Sequence, residues 1–507
     1  MLGTVVAAFA GRLRVPAPSL LVIAGLVVGL LPGVPAVRVS PDVVSLVVLP
    51  PLLYAASEEL SWRDLRAVWR PVAVLAVGLV LASAAAVAAT AWAVAGIPAS
   101  MAFVLGAVLA STDPVAVSAL GRRLSLPPKV QALVQAESLF NDATSLVLFQ
   151  IAVSFAVSGS IARTGFSGVL LHGAGQFAAV AAGGAVTGAV IAGGVIRLRR
   201  RVTDPVLETV IALITPYAAY VLGGVLHVSP VMTVIVTGLA TGARRERITT
   251  AQTRLQLHSV YQTVIFLLES VVFSLIGLQL PSLIRDLSHT QAWPAEALAV
   301  AGTLIVTRIL WVFPPSAVTQ RRSGTRRPSW PVPAVVSWAC TRGVVPLTAA
   351  DGTPLPRRDL VLVLATAVIV ISLVVQGLTL EPLVRLAGIA RPAAARHEET
   401  MARLRLAEAA LARLDELAAS QCAADDVIDR ARASLQARIG HARTRIDGHR
   451  PPEPDGLTDR DLRRDLNAAE NAELAHLYDD GTIGQATRQL LQRSLDLEAA
   501  RLSDDQH

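Results

Sequence analysis

Long apolar runs recur through the first 389 residues of this 507-residue chain, most of them about as long as a helix that crosses a lipid bilayer. A hydrocarbon core about 30 Å thick takes roughly 20 residues at the helical rise, fewer where a helix is broken and braced by its neighbours. The runs predict thirteen spans, near 2–11, 18–33, 41–56, 70–95, 99–121, 129–158, 172–196, 205–226, 229–243, 257–281, 293–318, 330–350 and 359–387. The expected fold class is therefore an all-α polytopic membrane protein. The first run is too short to cross and lacks the basic start and small-residue cleavage site of a signal peptide, so it reads as a partial first helix or one whose start lies upstream.

Charge supports this layout. Only 16% of residues are charged, which argues against disorder, collagen or coiled coil over residues 1–389. The formal +7 divides into +12 for 1–389 and −5 for the last 118 residues. Lys and Arg concentrate on the cytoplasmic side of membrane proteins. Loops after odd-numbered spans carry twenty of them and loops after even-numbered spans five, among them Arg38, Arg163 and Arg285. That alternation sets the N-terminus outside and the C-terminal tail in the cytoplasm. The basic residues are not interleaved with aromatics on a patch, so no nucleic-acid partner is expected. Cys340 and Cys422 are too few and too distant to suggest a disulfide or a thiolate metal site.

Residues 390–507 change to Ala, Leu, Arg, Asp and Glu. Leu404, Leu411, Leu414 and Leu417 recur at helical spacing, as do Leu490, Leu491, Leu495, Leu497 and Leu502, with a Pro-rich break at 447–455 between them. This is expected to be a helical cytoplasmic appendage, with a regulatory role as the alternative.

Ionisable residues inside spans are expensive and mark function or pairing. Those present are Asp113, Glu137, Asp142, Glu208, Glu269, Arg308 and Arg342. Two spans are interrupted alike. Ser111-Thr112-Asp113-Pro114 places a proline where it removes a backbone donor and disfavours helix in the residue before it, and Thr341-Arg342-Gly343-Val344-Val345-Pro346 is broken by Gly and Pro. One break in each half is the sequence sign of inverted repeats with unwound helices crossing near a midplane site. Between them in sequence, Ser138 and Asp142 are four apart on one helix face, beside the Glu137/Asn141 pair. Hard oxygen donors of this kind suit a small alkali cation, and cation and proton would compete for Asp142.

The segments LASTDPVAVSAL (109–120), ESLFNDATSLVLF (137–149), SLIGLQL (274–280) and TRGVVPLTAA (341–350), in this order and spacing, resemble the monovalent cation:proton antiporter-1 family of NhaP/NHE-type sodium/proton exchangers. The similarity runs through residues 12–389. It implies that Asp142 carries ion and proton with Asn141 beside it. Thr112, Asp113 and Ser138 would supply or shape the shell, Asp142, Ser138 and Thr112 holding the transported Na+. Glu137 and Arg342 match a buried structural ion pair. The resemblance also implies a dimer, each protomer having a dimerisation part and a mobile core, and Asn before Asp is the family mark of electroneutral one-for-one exchange. One position departs: where many relatives carry an acid shortly after Pro50-Pro51-Leu52-Leu53, this chain has Ala55, with Glu58 and Glu59 nearby as cavity candidates that more readily read as a solvated loop end.

Glu269 is expected to line the cytoplasmic funnel or pair with Arg308, and Glu208 to lie near the interface. His172, His227, His258 and His289 fall near span ends, where ordinary interfacial placement outweighs pH sensing. The expected function is a transporter of the cell membrane, not an enzyme and without a cofactor, exchanging Na+ for H+ through alternating access. K+/H+ exchange at the same site remains an alternative, Li+ a further cation, and a tail-gated cation channel a reading from another class. No H-E-x-x-H or G-x-S-x-G lies in a span.

Overall fold

The computed structural model describes residues 16–32, 45–113, 128–158, 161–202, 204–245, 249, 251–287, 292–322, 329–339, 341–342, 357–388, 393–419, 425–446 and short pieces from 469 to 480. The expected first span at 2–11, the Pro-rich break at 447–455 and the leucine run at 490–502 lie outside the described residues. The chain falls into two compact units, Met1–Pro392 and Ala393–His507. Seven helices are long and apolar enough to cross a membrane, and Ala17–Leu30, Ala99–Leu109 and Pro230–Gly242 are shorter apolar helices, among the described residues.

In chain order the first unit contains α1 (Ala17–Leu30), α2 (Leu49–Glu59), α3 (Trp62–Ala73), a π-helical stretch (Val74–Leu79), α4 (Val80–Ala95), α5 (Ala99–Leu109), β1 (Thr112–Asp113), α6 (Pro128–Ser158), α7 (Ile161–Arg199), α8 (Pro205–Val225), α9 (Pro230–Gly242), α10 (Ala251–Asp286), α11 (Trp293–Arg322), α12 (Pro331–Trp338), β2 (Thr341–Arg342) and α13 (Arg358–Leu386). Local chemistry sets several of these boundaries. Asp204 and Ser229 cap α8 and α9, accepting from the Val206 and Met232 amides at 2.8 and 3.2 Å, and each is followed by a proline at the first helical position. Gly96 ends α4 in the left-handed region at φ 58°.

Two boundaries differ from the sequence expectation. The span expected to begin at residue 70 begins at Trp62, because Leu65, Val68 and Val72 form a buried stripe while Arg63, Arg66 and Arg70 stay exposed. The arginines read as a loop therefore stand on an amphipathic turn of the same helix. Within the run expected as one span over 330–350, Pro331–Trp338 is helical and Thr341–Arg342 is extended, among the described residues.

The core is divided by depth. On α6, Ala132, Ala136, Leu139 and Ala143 belong to one apolar cluster with α2, α3, α8 and α9, whereas Leu148, Phe149 and Ala152 belong to another with α1, α4, α5, α11 and α13. Residues 137–145 of α6 sit at the join, near the middle of a 31-residue helix. Close packing relies on missing side chains where α1 crosses α10. A Cβ on Gly277 would lie 2.1 Å from the Val22 carbonyl oxygen, and one on Gly25 2.2 Å from that of Ser274. Backbones approach this closely only where small residues allow it.

In the second unit, α14 (Ala393–Ala419) packs on α15 (Asp425–Ile446) through Leu404, Ala407, Ile439 and Ala442. Arg432 meets Asp415 at 2.9 Å and Arg443 meets Glu408 at 3.2 Å, which makes the two helices antiparallel. Leu417, expected on the apolar stripe, is exposed, since the less accessible positions run through Leu404, Ala407, Leu411, Leu414 and Ala418, one place off it.

Gly277→Val is expected to cost about 3 kcal/mol, since the collision is with backbone that cannot rotate away. Gly302→Ala, whose Cβ meets nothing within 4 Å, is expected to be neutral or slightly stabilising. Thermal unfolding of the detergent-solubilised chain measures both; equal stability of the two variants would contradict the crossing.

Candidate functional site

The two interruptions read from the sequence meet. After α5 stops at Leu109 and α12 at Trp338, Thr112–Asp113 pairs antiparallel with Thr341–Arg342, Thr112 opposite Arg342 and Asp113 opposite Thr341. Residues 114–127 and 343–356, beyond the pair on each chain segment, lie outside the described residues.

A helix that stops in an apolar interior leaves its last carbonyls without partners. Here side chains supply them. Ser145 Oγ donates to the Ala107 carbonyl at 2.7 Å, and Arg342 Nη1 donates to that of Leu109 at 3.2 Å. At α12, Arg308 donates to the Val336 carbonyl through Nε at 3.3 Å and Nη2 at 3.1 Å. The Arg342 amide donates to Ser372 Oγ at 3.2 Å, and Ser372 is bonded in turn to Gln376.

Against this crossing α6 presents its polar face. Asn141 Nδ2 donates to Thr112 Oγ1 at 2.5 Å, and Asn141 Oδ1 accepts from the Thr112 amide at 3.4 Å. Thr112 Oγ1 and Ser138 Oγ lie 3.1 Å apart. Ser111 Oγ donates to Asp142 Oδ1 at 2.5 Å. Thr112, Ser138 and Asn141 are buried, whereas Asp142 and Asp113 are partly accessible. The arrangement gathers hydroxyl and amide oxygens next to the carboxylate of a partly accessible Asp142, a donor set for a small hard cation or a proton. Thr112, Ser138, Asn141 and Asp142, chosen from sequence, are thus brought together. Asp113 joins through its backbone pairing with Thr341. Ser111 was missed: it was legible only as part of a helix break, and the short link to Asp142 needs the fold.

The ion pair is a correction. Both Glu137 carboxylate oxygens accept from Arg308, Oε1 from Nη1 at 2.7 Å and Oε2 from Nη2 at 2.8 Å, so the bidentate partner is Arg308 rather than Arg342. Glu269, expected to line the cytoplasmic funnel or pair with Arg308, is half-buried on α10. Arg342 instead caps α5. Glu208 is buried with Arg199, at 2.9 Å, and Thr249 bonds both. This places Glu208 in a closed ion pair at a helix end. Glu58 is half-buried at the last turn of α2, within electrostatic reach of Arg245 and Arg199, and its Oε1 has no hydrogen-bond partner among the described residues; Glu59 is exposed. Ala55 is buried in the apolar cluster. His227 and His258 are exposed, while the side chains of His172 and His289 lie outside the described residues.

Removing one partner of a buried bidentate pair leaves an uncompensated charge, at a cost of about 3–5 kcal/mol. Glu137→Gln and Arg308→Met are each expected to lose that much, and the double variant to lose less than the sum by more than about 1 kcal/mol. A double-mutant cycle of unfolding in detergent measures the coupling. A larger coupling of Glu137 with Arg342 would reverse the assignment.

Comparison with known proteins identifies the family. The family model described as sodium/hydrogen exchanger, transmembrane, matches residues 1–386. The chain is 32% identical to the uncharacterized Na+/H+ exchanger Rv2287 of Mycobacterium tuberculosis over 97% of its own length and 93% of the relative's. It is 29% identical to a sodium, potassium, lithium and rubidium/H+ antiporter of Bacillus pumilus, over 72% of this chain and 57% of that one. The sodium proton antiporter MjNhaP1 of Methanocaldococcus jannaschii shares the fold, with a TM-score of 0.59 at 20% identity over 76% of this chain and 95% of that one. With the family matched from the first apolar run through the end of α13, the chain belongs to the sodium/hydrogen exchanger family of membrane transporters and is not an enzyme.

Proposed function

We propose that this protein exchanges Na+ for H+ across the cell membrane, one for one, by competition of the two for Asp142. The observation that carries the reading is the hydrogen-bonded cluster of Thr112, Ser138 and Asn141 where the paired helix breaks face α6, next to Asp142, which accepts from Ser111 of the same segment. Deprotonated Asp142 takes Na+ from the cytoplasm with oxygens of Ser138 and Thr112, and Asp113 shapes the shell from β1. Movement of the part that bears the site exposes the ion outside, protonation of Asp142 releases it, and the protonated site returns. Since one carboxylate serves both ligands, occupancy by either excludes the other, and the coupling follows from that exclusion. Glu137, neutralised by Arg308, adds no net charge to the site.

The same reading takes the first unit as thirteen spans in inverted repeats, a homodimer in the bilayer with the N-terminus outside, and residues 390–507 as a cytoplasmic helical tail with a regulatory task. K+/H+ exchange at the same site is the second reading, favoured by the breadth of cations in the name of the Bacillus relative.

Asp142→Asn is expected to abolish Na+-driven proton flux in proteoliposomes carrying a pH dye, while the variant remains monodisperse in detergent. Sodium-dependent flux surviving in that variant would sink the aspartate assignment. In the same vesicles, clamping the membrane potential at several values is expected to leave the wild-type rate unchanged within about twofold. A channel, or an exchanger moving net charge, would follow the potential, because one elementary charge gains about 2.3 kcal/mol per 100 mV.

A further inference from the structure

Ser111 occupies the position between Ala110, which is still in the helical region at the C-cap of α5, and the extended Thr112. It is fully buried, and its hydroxyl donates to Asp142 Oδ1 at 2.5 Å. Among the described residues this is the side-chain hydrogen bond that the Asp142 carboxylate accepts. The other hydroxyls of the cluster are already engaged elsewhere. Thr112 Oγ1 is shared by Asn141 and Ser138, and Ser145 Oγ is committed to the Ala107 carbonyl. Ser111 is therefore the hydroxyl whose recorded partner is the carboxylate itself.

A serine hydroxyl has one proton and two lone pairs. Facing an empty, ionised carboxylate it presents the proton. A cation seated on Oδ1 at the roughly 2.0–2.6 Å that hard cations keep from oxygen lies within reach of an Oγ only 2.5 Å from the same atom. That cation repels the hydroxyl proton and attracts the lone pairs, so rotation about the Cβ–Oγ bond turns the lone pairs to the ion while the two oxygens, no longer joined by the proton, move apart to the spacing of ligands in one shell. The position on unwound backbone at the end of α5 fixes Oγ at this spot, since Leu109 and Ala107 are pinned through their carbonyls by Arg342 and Ser145.

We propose that Ser111 is an affinity-setting ligand of the transported cation, its hydroxyl donating to the empty Asp142 carboxylate and reversing to coordinate the ion when one binds. The inference rests on Asp142 binding the cation as described above. It extends the shell with a residue whose neighbours, Thr112 and Asp142, carried the sequence reading.

The test uses the full-length chain in proteoliposomes at one fixed pH, comparing wild type, Ser111→Ala, Ser111→Cys and Asp142→Asn for the KM and maximal rate with Na+. Cysteine keeps the shape of serine, slightly enlarged, but replaces a hard oxygen with a soft sulfur. Both Ser111 variants are expected to raise the KM for Na+ about tenfold, the effect of losing one good polar contact, with the maximal rate within about twofold. Na+-induced thermal stabilisation of the solubilised chain is expected to weaken in parallel. A KM within twofold of wild type in Ser111→Cys overturns the proposal, because a merely packing role tolerates the isostere. If Ser111→Ala proves unfolded by gel filtration, the cysteine variant alone decides. Asp142→Asn separates the two levels: residual exchange there refutes the carboxylate reading, whereas an inactive Asp142→Asn beside an unaffected Ser111→Cys refutes only the role of Ser111.

Discussion

Helices that stop inside an apolar interior create a debt of hydrogen bonds, and the site is built by the groups that settle it. The ends of α5 and α12 leave carbonyls that bulk water cannot reach. Arg342, Ser145 and Arg308 pair with them, at Leu109, Ala107 and Val336. Buried guanidinium groups need counter-charge in turn, and Glu137 supplies it to Arg308 with both oxygens. With these groups fixed, Ser111 and the extended Thr112 follow the end of α5 and face α6, and the polar face of α6 completes the cluster. Removing any one of these pairings would free an element that positions Asp142.

The position of the site within the first unit follows from the same balance. Apolar clusters fill the space on either side of residues 137–145 of α6, one through Ala136 and Leu139, the other through Leu148 and Phe149. Polar groups are tolerated only at the join, where they satisfy one another. Asp142 remains partly accessible there, in contrast to Glu137 on the same helix, which is fully enclosed and neutralised. Two carboxylates five residues apart thus lie in unlike settings: Glu137 is closed in an ion pair with Arg308, whereas Asp142 is a partly accessible residue bonded to Ser111. Small residues at helix crossings, such as Gly277 against Val22, let the surrounding helices close without further polar contacts.

Much of this was legible in the sequence. Asp113 before Pro114 and Gly343 before Pro346 announced the broken helices, because proline's missing donor and the conformational bias before it act locally. Helical spacing places Ser138 and Asp142 on one face, and the apolar runs announce the membrane helices, although residues 62–69 read as loop because the arginines outweigh the buried stripe of Leu65, Val68 and Val72. Local rules carried these features, since each depends on residues within one or two turns.

Partner choice was not legible. Glu137 and Arg308 are 171 positions apart, and whether Arg308 or Arg342 reaches the carboxylate depends on how α11 and β2 are set against α6. The same holds for Ser111, whose contact with Asp142 spans 31 positions and arises only once α5 ends beside α6. The sequence by itself determined where helices must break and which carboxylates lie in apolar surroundings, because backbone chemistry and hydropathy are written locally. Only the tertiary structure decided which arginine neutralises Glu137 and which hydroxyl meets Asp142, because hydrogen bonds act over about 3 Å and several chemically equivalent partners compete for each.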